Sequence, residues 1–167
     1  NKDMYIEKHV SSVHQRIHVF STSIWVDPAW GPVRAFVRDE LGVDDKTEQC
    51  FFDKFDAQAL TEIVATQKAV IEMQRQRKMK KLFQILVILD DLADSRVAMH
   101  SNHLIQAFLK GRHVMQSTWV SIQKLRAVDN AIGVNATDMV VFRLRSQQEL
   151  KAFLEESSAV YGWKILE

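Results

Sequence analysis

Apolar residues recur along this chain in two rhythms: short unbroken or alternating runs, and runs spaced by three and four. The sharpest of the first kind is Ile85-Leu86-Val87-Ile88-Leu89, preceded by Gln84 and followed by Asp90-Asp91. Five aliphatic residues in a row, several β-branched, predict a strand buried on both faces, as in parallel sheets. Further strands are predicted at Ile17-His18-Val19-Phe20, closed by Ser21-Thr22-Ser23, and at Gln49-Cys50-Phe51-Phe52. Residues 114–122 form another, reaching Gln123, and Met139-Val140-Val141-Phe142 a last buried one. Helical spacing appears after Pro32 at Val33, Phe36, Val37 and Leu41, with Gly42 placed to stop the helix. Asp56 reads as the N-cap of a long helix to about Lys80, its apolar positions being Leu60, Ile63, Val64, Val70, Ile71 and Met73. A third helix carries Met99, His103, Leu104, Ala107 and Phe108 inward and stops at Gly111. Residues 147–156 form another, with Leu150, Phe153 and Leu154. The pattern is looser at residues 2–14, a short helix through Met4, Ile6, Val10 and Val13. Asp27-Pro28 marks a turn or helix start, and a short segment spans residues 127–135. The order β-α-β-α-β-α-β-β-α predicts an α/β fold, a mostly parallel sheet covered by helices. No repeat, low-complexity tract or linker divides residues 1–167, so one domain is expected.

Composition narrows the classes. Hydrophobic residues make up 47% of the 167 and charged ones 26%, which is globular rather than disordered material. With 22 basic against 21 acidic residues, any nucleic-acid surface must be local. The basic run at residues 74–81 reads first as a solvated helix end that complements the helix dipole, and second as a DNA-facing patch. The single Cys50 excludes an intrachain disulfide and reads as a buried thiol in a reducing compartment. No apolar run approaches a membrane span and no signal peptide is visible, so the expectation is an intracellular protein, not a secreted one. The chain opens on Asn1 and runs directly into charged sequence, which reads as a piece of a longer protein.

Asp90 and Asp91 carry the candidate chemistry. Open α/β sheets bind ligands at the carboxyl ends of their strands. Nucleoside triphosphatases use such a pair there, the first acid for Mg²⁺ and the second to orient or activate a water. A buried strand also ends in Asp simply because the chain turns. Gln123 stands at the end of the next apolar strand; if the two strands are neighbours, it reaches a phosphate oxygen or the attacking water. None of Gly31, Gly42, Gly111, Gly133 and Gly162 belongs to a G-x-x-x-x-G-K-[ST] loop, so the phosphate cradle is missing. Elsewhere the plain readings lead. The six histidines and one cysteine show no metal-ligand spacing, and His103 reads as a core histidine. Trp25 and Trp30 read as packing anchors ahead of base-stacking platforms, and Arg112-His113 as a helix cap or a functional pair.

Residues 85–91, then Gly111-Arg112-His113 and Gln116-Ser117-Thr118 running to Gln123-Lys124, resemble the poxvirus-type DNA-packaging ATPases. These lie within the FtsK–HerA branch of P-loop motors, found in giant viruses and virus-like elements. Val134-Asn135-Ala136-Thr137-Asp138 with residues 140–145, and Val19-Phe20-Ser21-Thr22-Ser23 with Asp27-Pro28 and Trp30, resemble the same family. The resemblance spans roughly residues 15–160. It implies a RecA-like P-loop NTPase sheet lacking its Walker A strand and loop, the chain beginning just past that segment. It implies Asp90 as the Walker B metal acid, Asp91 as the catalytic carboxylate and Gln123 as the sensor, with ATP and Mg²⁺ expected in the complete domain. It also implies a homo-oligomeric ring acting on double-stranded DNA, in a virus factory, cytoplasm or nucleus, with arginines contributed between subunits. Members often carry a basic residue just before the Val-Asn pair; here Gly133 stands there. Either Arg112, Arg143 or Arg145 takes the trans-acting role, or this copy has decayed.

Two other functions compete. One is a non-catalytic relic or interaction module of RecA-like shape that does not bind ATP. The other is a phosphoacceptor receiver domain, disfavoured because its acid pair sits on the first strand. The resemblance further implies that the absent strand pairs beside the one bearing Asp90. Residues 84–89 would then be left with an open apolar edge, which predicts poor solubility or a rearranged sheet.

Overall fold

A computed structural model of the 167-residue chain describes residues 13–44, 46–92, 100–124, 128–144 and 146–157. The expected helix at residues 2–14 falls almost wholly outside the described residues, as do Met99 and Arg145. Four strands form one all-parallel sheet, β1 (Arg16–Ser21), β2 (Phe51–Phe52), β3 (Ile85–Asp90) and β4 (Gln116–Ser121), in the order β2-β1-β3-β4. Between and after them run α1 (Gly31–Asp39), α2 (Ala57–Gln76), α3 (Asn102–Lys110), α4 (Asn130–Asn135) and α5 (Gln147–Ser157). The expected α/β architecture is therefore present, and it is consistent with a RecA-like core.

All six residues of β3 are buried, because strands lie on both of its edges and helices cover both faces. Its side chains alternate between two cores, as the two-residue period of a strand requires. Leu86 and Ile88 pack with Ile17, Val19, Val33 and Val37 on the α1 side. Ile85, Val87 and Leu89 pack with Phe20, Leu60, Leu104 and Ile132 on the side of α2, α3 and α4. Each fully buried Leu or Phe contributes on the order of 2 kcal/mol.

The expected open edge on residues 84–89 is not there. β1 pairs with β3 from Arg16↔Ile85 to Ser21↔Asp90, and β4 pairs with its other edge from Ile85↔Gln116 to Asp90↔Ser121. Among the described residues the sheet ends at β2 on one side and β4 on the other. A strand buried on both faces has no water to satisfy its backbone, so both edges must be paired.

Caps fix where the helices start. Asp56 Oδ1 accepts from the backbone N–H groups of Gln58 and Ala59 at 2.9 and 3.0 Å, opening α2. α2 ends at Gln76 rather than near Lys80, because Lys78 turns left-handed at φ 54°. Residues 75–81 beyond its buried face are exposed, as a solvated helix end would be. The buried stripe of α2 is Leu60, Gln67, Ile71 and Gln74, while Met73 lies off it, 42% exposed. The two glutamines are tethers: Gln67 Nε2 donates to the Phe83 and Val114 carbonyls at 2.9 and 2.8 Å, and Gln74 Oε1 accepts from Phe83 N at 2.8 Å. They satisfy backbone at the entrances to β3 and β4.

Several expectations need correction. His103 is exposed, because α3 presents Leu104 and Ala107 to the core. α3 does end at Gly111 as expected, its C-cap, but that residue is right-handed and the chain continues as a 3-10 turn to Val114. Glycine is needed there because a Cβ would lie 2.9 Å from the Gln116 carbonyl oxygen. That turn takes the residues expected to begin the strand at 114. Gly42, by contrast, does close α1 with φ 65°. Residues 139–142 form no strand, and Val140 and Phe142 are 80% and 84% exposed. Apolar composition alone does not make a strand, and residues 139–142 pair with neither outer edge of the described sheet. Leu150 is also exposed, α5 burying Ala152 instead. Trp30 is a buried anchor as expected; Trp25 is mostly exposed, stacked edge-on against Phe51 with the Arg34 guanidinium 5.4 Å from its ring.

Candidate active site

The C-terminal ends of β1, β3 and β4 meet at one edge, and the register aligns three polar residues there: Ser21, Asp90 and Ser121. Asp90 is the last residue of β3 and is 8% exposed. Ser21 Oγ donates to Asp90 Oδ2 at 3.2 Å, a bond buried in the sheet edge. Behind it, Ser21 Oγ lies 3.1 Å from Ser23 Oγ, which accepts from Trp30 Nε1 at 3.3 Å. The buried tryptophan thus anchors a hydroxyl relay that holds one oxygen of Asp90 in place. A buried carboxylate requires such partners, since burial without hydrogen bonds is costly.

Asp91 differs in every respect. It is exposed, and its backbone is left-handed at φ 50°. Such a conformation costs an L-residue on the order of 1 kcal/mol. It breaks the strand's alternation, so the second acid does not follow the first into the sheet. Gln123, two residues past β4, donates its amide Nε2 to Asp91 Oδ1 at 2.8 Å. The condition set from the sequence is met: the two strands are neighbours, and their ends bring Asp90, Asp91 and Gln123 together.

Arg112 is not part of this edge. Arg112 lies in the 3-10 turn before β4, at the opposite end of the strand and exposed. At about 3.3 Å per strand residue, roughly 20 Å of β4 separate it from the acids within one chain. Arg143 is exposed in the segment before α5, and Arg145 lies outside the described residues.

The donor set suits a hard cation in part. Mg²⁺ is commonly held by one or two carboxylates, with water and substrate phosphate oxygens completing its shell. Asp90, positioned by Ser21, meets that need, with Asp91 beside it. A triphosphate is another matter, since no glycine of the chain belongs to a phosphate-cradling loop. Sequence reasoning missed the part played by Ser21, which it took only as the end of a strand. The signal was a hydroxyl residue at the end of the strand that pairs with β3, invisible until the register was known.

A parallel sheet covered by helices on both faces, with an acid pair closing its most buried strand, is an α/β domain consistent with a RecA-like core. Residues 56–164, well over half of the chain, match the family model described as Poxvirus A32 protein. The chain belongs to that family, whose lineage is that of the DNA-packaging ATPases. No curated protein and no solved structure matches it.

Proposed function

We propose that this chain supplies the metal-binding and water-activating half of an ATP-driven motor that moves double-stranded DNA. Asp90 holds Mg²⁺, Asp91 orients and deprotonates the attacking water, and Gln123 senses the γ-phosphate. Bound Mg²⁺ would supply charge neutralisation at the β- and γ-phosphate oxygens. The observation that carries this reading is the 2.8 Å bond from Gln123 to Asp91 beside a buried, serine-held Asp90. Gln123 spans from β4 to β3, so a change at a bound phosphate is felt directly by the water-activating acid.

On this reading the triphosphate sits on a glycine-rich loop that these 167 residues do not contain. Among the described residues the outer edge of β4 is unpaired, and it offers a parallel strand leading to such a loop a place to pair. Motors of this kind act as rings, with Arg112, Arg143 or Arg145 reaching a neighbouring subunit. The exposed basic run at residues 75–81 is available to DNA phosphates.

A second reading has its own observation. Without a phosphate loop, and with Val140 and Phe142 exposed, the chain would serve as a non-catalytic interaction module. Calorimetric titration with Mg-ATP separates the two. The motor reading predicts no tight binding by the 167 residues alone. It predicts micromolar binding, with DNA-stimulated hydrolysis, once a phosphate-binding strand and loop from another family member is joined ahead of residue 1. A folded chimera that binds no nucleotide supports the module.

A further inference from the structure

A second cluster of chemically active side chains lies away from the acid pair. Val19 N donates to the Cys50 carbonyl at 2.8 Å, which draws the segment entering β2 alongside β1. That contact gathers His18, Glu48 and Cys50. One ring nitrogen, one carboxylate oxygen and the thiol sulfur all lie within 4.8 Å of one another. His18 is 7% exposed and Cys50 1%. Independently, His18 Nδ1 is buried and has no hydrogen-bond partner.

We propose that His18, Glu48 and Cys50 form a binding site for a zinc-type divalent cation that clips the β2 segment onto β1. Zinc takes nitrogen, sulfur and oxygen ligands in tetrahedral geometry at about 2.0–2.3 Å, which sets the donors roughly 3.5 Å apart. Small side-chain rotations close the present spacing to that value, and a water completes the shell. Burial holds His18 neutral, its pKa pushed down to about 4, so the imidazole is in its ligating form. Arg16 Nε donates to both oxygens of Glu48 at 3.0 and 2.9 Å, an outer contact that fixes the carboxylate's orientation. Cys50 Sγ now donates to Glu48 Oε1 at 3.8 Å. On binding, the thiol proton leaves to solvent, a sulfur–metal bond replaces that contact, and thiolate and carboxylate together balance the charge of the ion.

The structural gain is local. β2 holds the sheet through only two register pairs, Val19↔Phe51 and Phe20↔Phe52. A metal bridge from β1 to Glu48 and Cys50 would secure that edge. No short motif announces the site, because its ligands come from β1 and from the segment entering β2, some 30 residues apart.

Cobalt(II) titration of the chain tests it. Cys50 is the only cysteine, so cobalt–thiolate charge-transfer absorption reports this site alone. The expected result is that absorption saturating at one equivalent, displaced by zinc, and at least tenfold weaker affinity in Glu48→Gln. Zinc should also raise the melting temperature, with EDTA reversing the shift, which reports binding to the folded chain. Absence of the absorption, an affinity unchanged by Glu48→Gln, or a melting temperature that zinc leaves unmoved would each overturn the proposal.

Discussion

Gln123 Nε2 donates to Asp91 Oδ1 at 2.8 Å, tying the loop beyond β4 to the residue just beyond β3. Asp91 holds a left-handed backbone, so stability and chemistry pull in opposite directions at this position. Glycine adopts φ 50° freely. Asp91→Gly is therefore expected to leave stability unchanged or raise it by about 0.5–1 kcal/mol, less the lost Gln123 contact, while removing the candidate base. Urea denaturation checks this; a loss of more than about 1 kcal/mol would show that the carboxylate, not the backbone, sets the stability there.

Ser21 is expected to matter more than its size suggests. Ser21→Ala removes the donor to Asp90 Oδ2 and leaves a buried carboxylate oxygen short of a partner. The cost should be about 1–3 kcal/mol in chemical denaturation. An unchanged midpoint would mean that the relay through Ser23 and Trp30 does not restrain Asp90.

Gly111 and Gly31 make a matched pair. A Cβ at Gly111 meets the Gln116 backbone oxygen at 2.9 Å, whereas one at Gly31 meets nothing within 4 Å. Gly111→Ala should destabilise by about 1–3 kcal/mol. Gly31→Ala, at the start of α1, should be neutral or slightly stabilising. Equal melting temperatures for the two variants would contradict the close approach at Gly111.

Acid should weaken the fold in part through His14. Its Nε2 lies 3.2 Å from Ser117 Oγ, its Nδ1 is buried without a partner, and burial holds its pKa below the usual value of 6.5. The unfolded chain therefore takes up a proton at a higher pH than the folded one. The contribution is full above 6.5 and declines as the pH falls below it. His14→Gln should flatten the dependence of the melting temperature on pH across that range. An unaltered slope would remove His14 from the account.

Where local pattern and global fold agree, the sequence was legible. The aliphatic run at residues 85–89 became the central strand, Asp56 capped α2, Gly42 closed α1, and Cys50 was buried. The meeting of the acid pair with Gln123 was legible because they stand at ends of strands that are adjacent and parallel. Sheet order was not legible, since pairing depends on long-range register that no local pattern encodes. Hence the wrong neighbour was expected for β3, and the part of Ser21 was missed. Residues 139–142 and His103 failed for a related reason: apolar character and helical spacing locate a face only when the element it packs against is known. The gathering of His18 with Glu48 and Cys50 is likewise a product of strand pairing, not of spacing.

In the proposed motor Asp91 activates the water and Asp90 holds the metal, so the two acids should separate in ATP hydrolysis by the domain joined to a family phosphate-binding loop. Asp91→Asn should bind Mg-ATP as the parent does and lose turnover by about 100-fold or more. Turnover equal to the parent's in that variant would show that Asp91 is not the base.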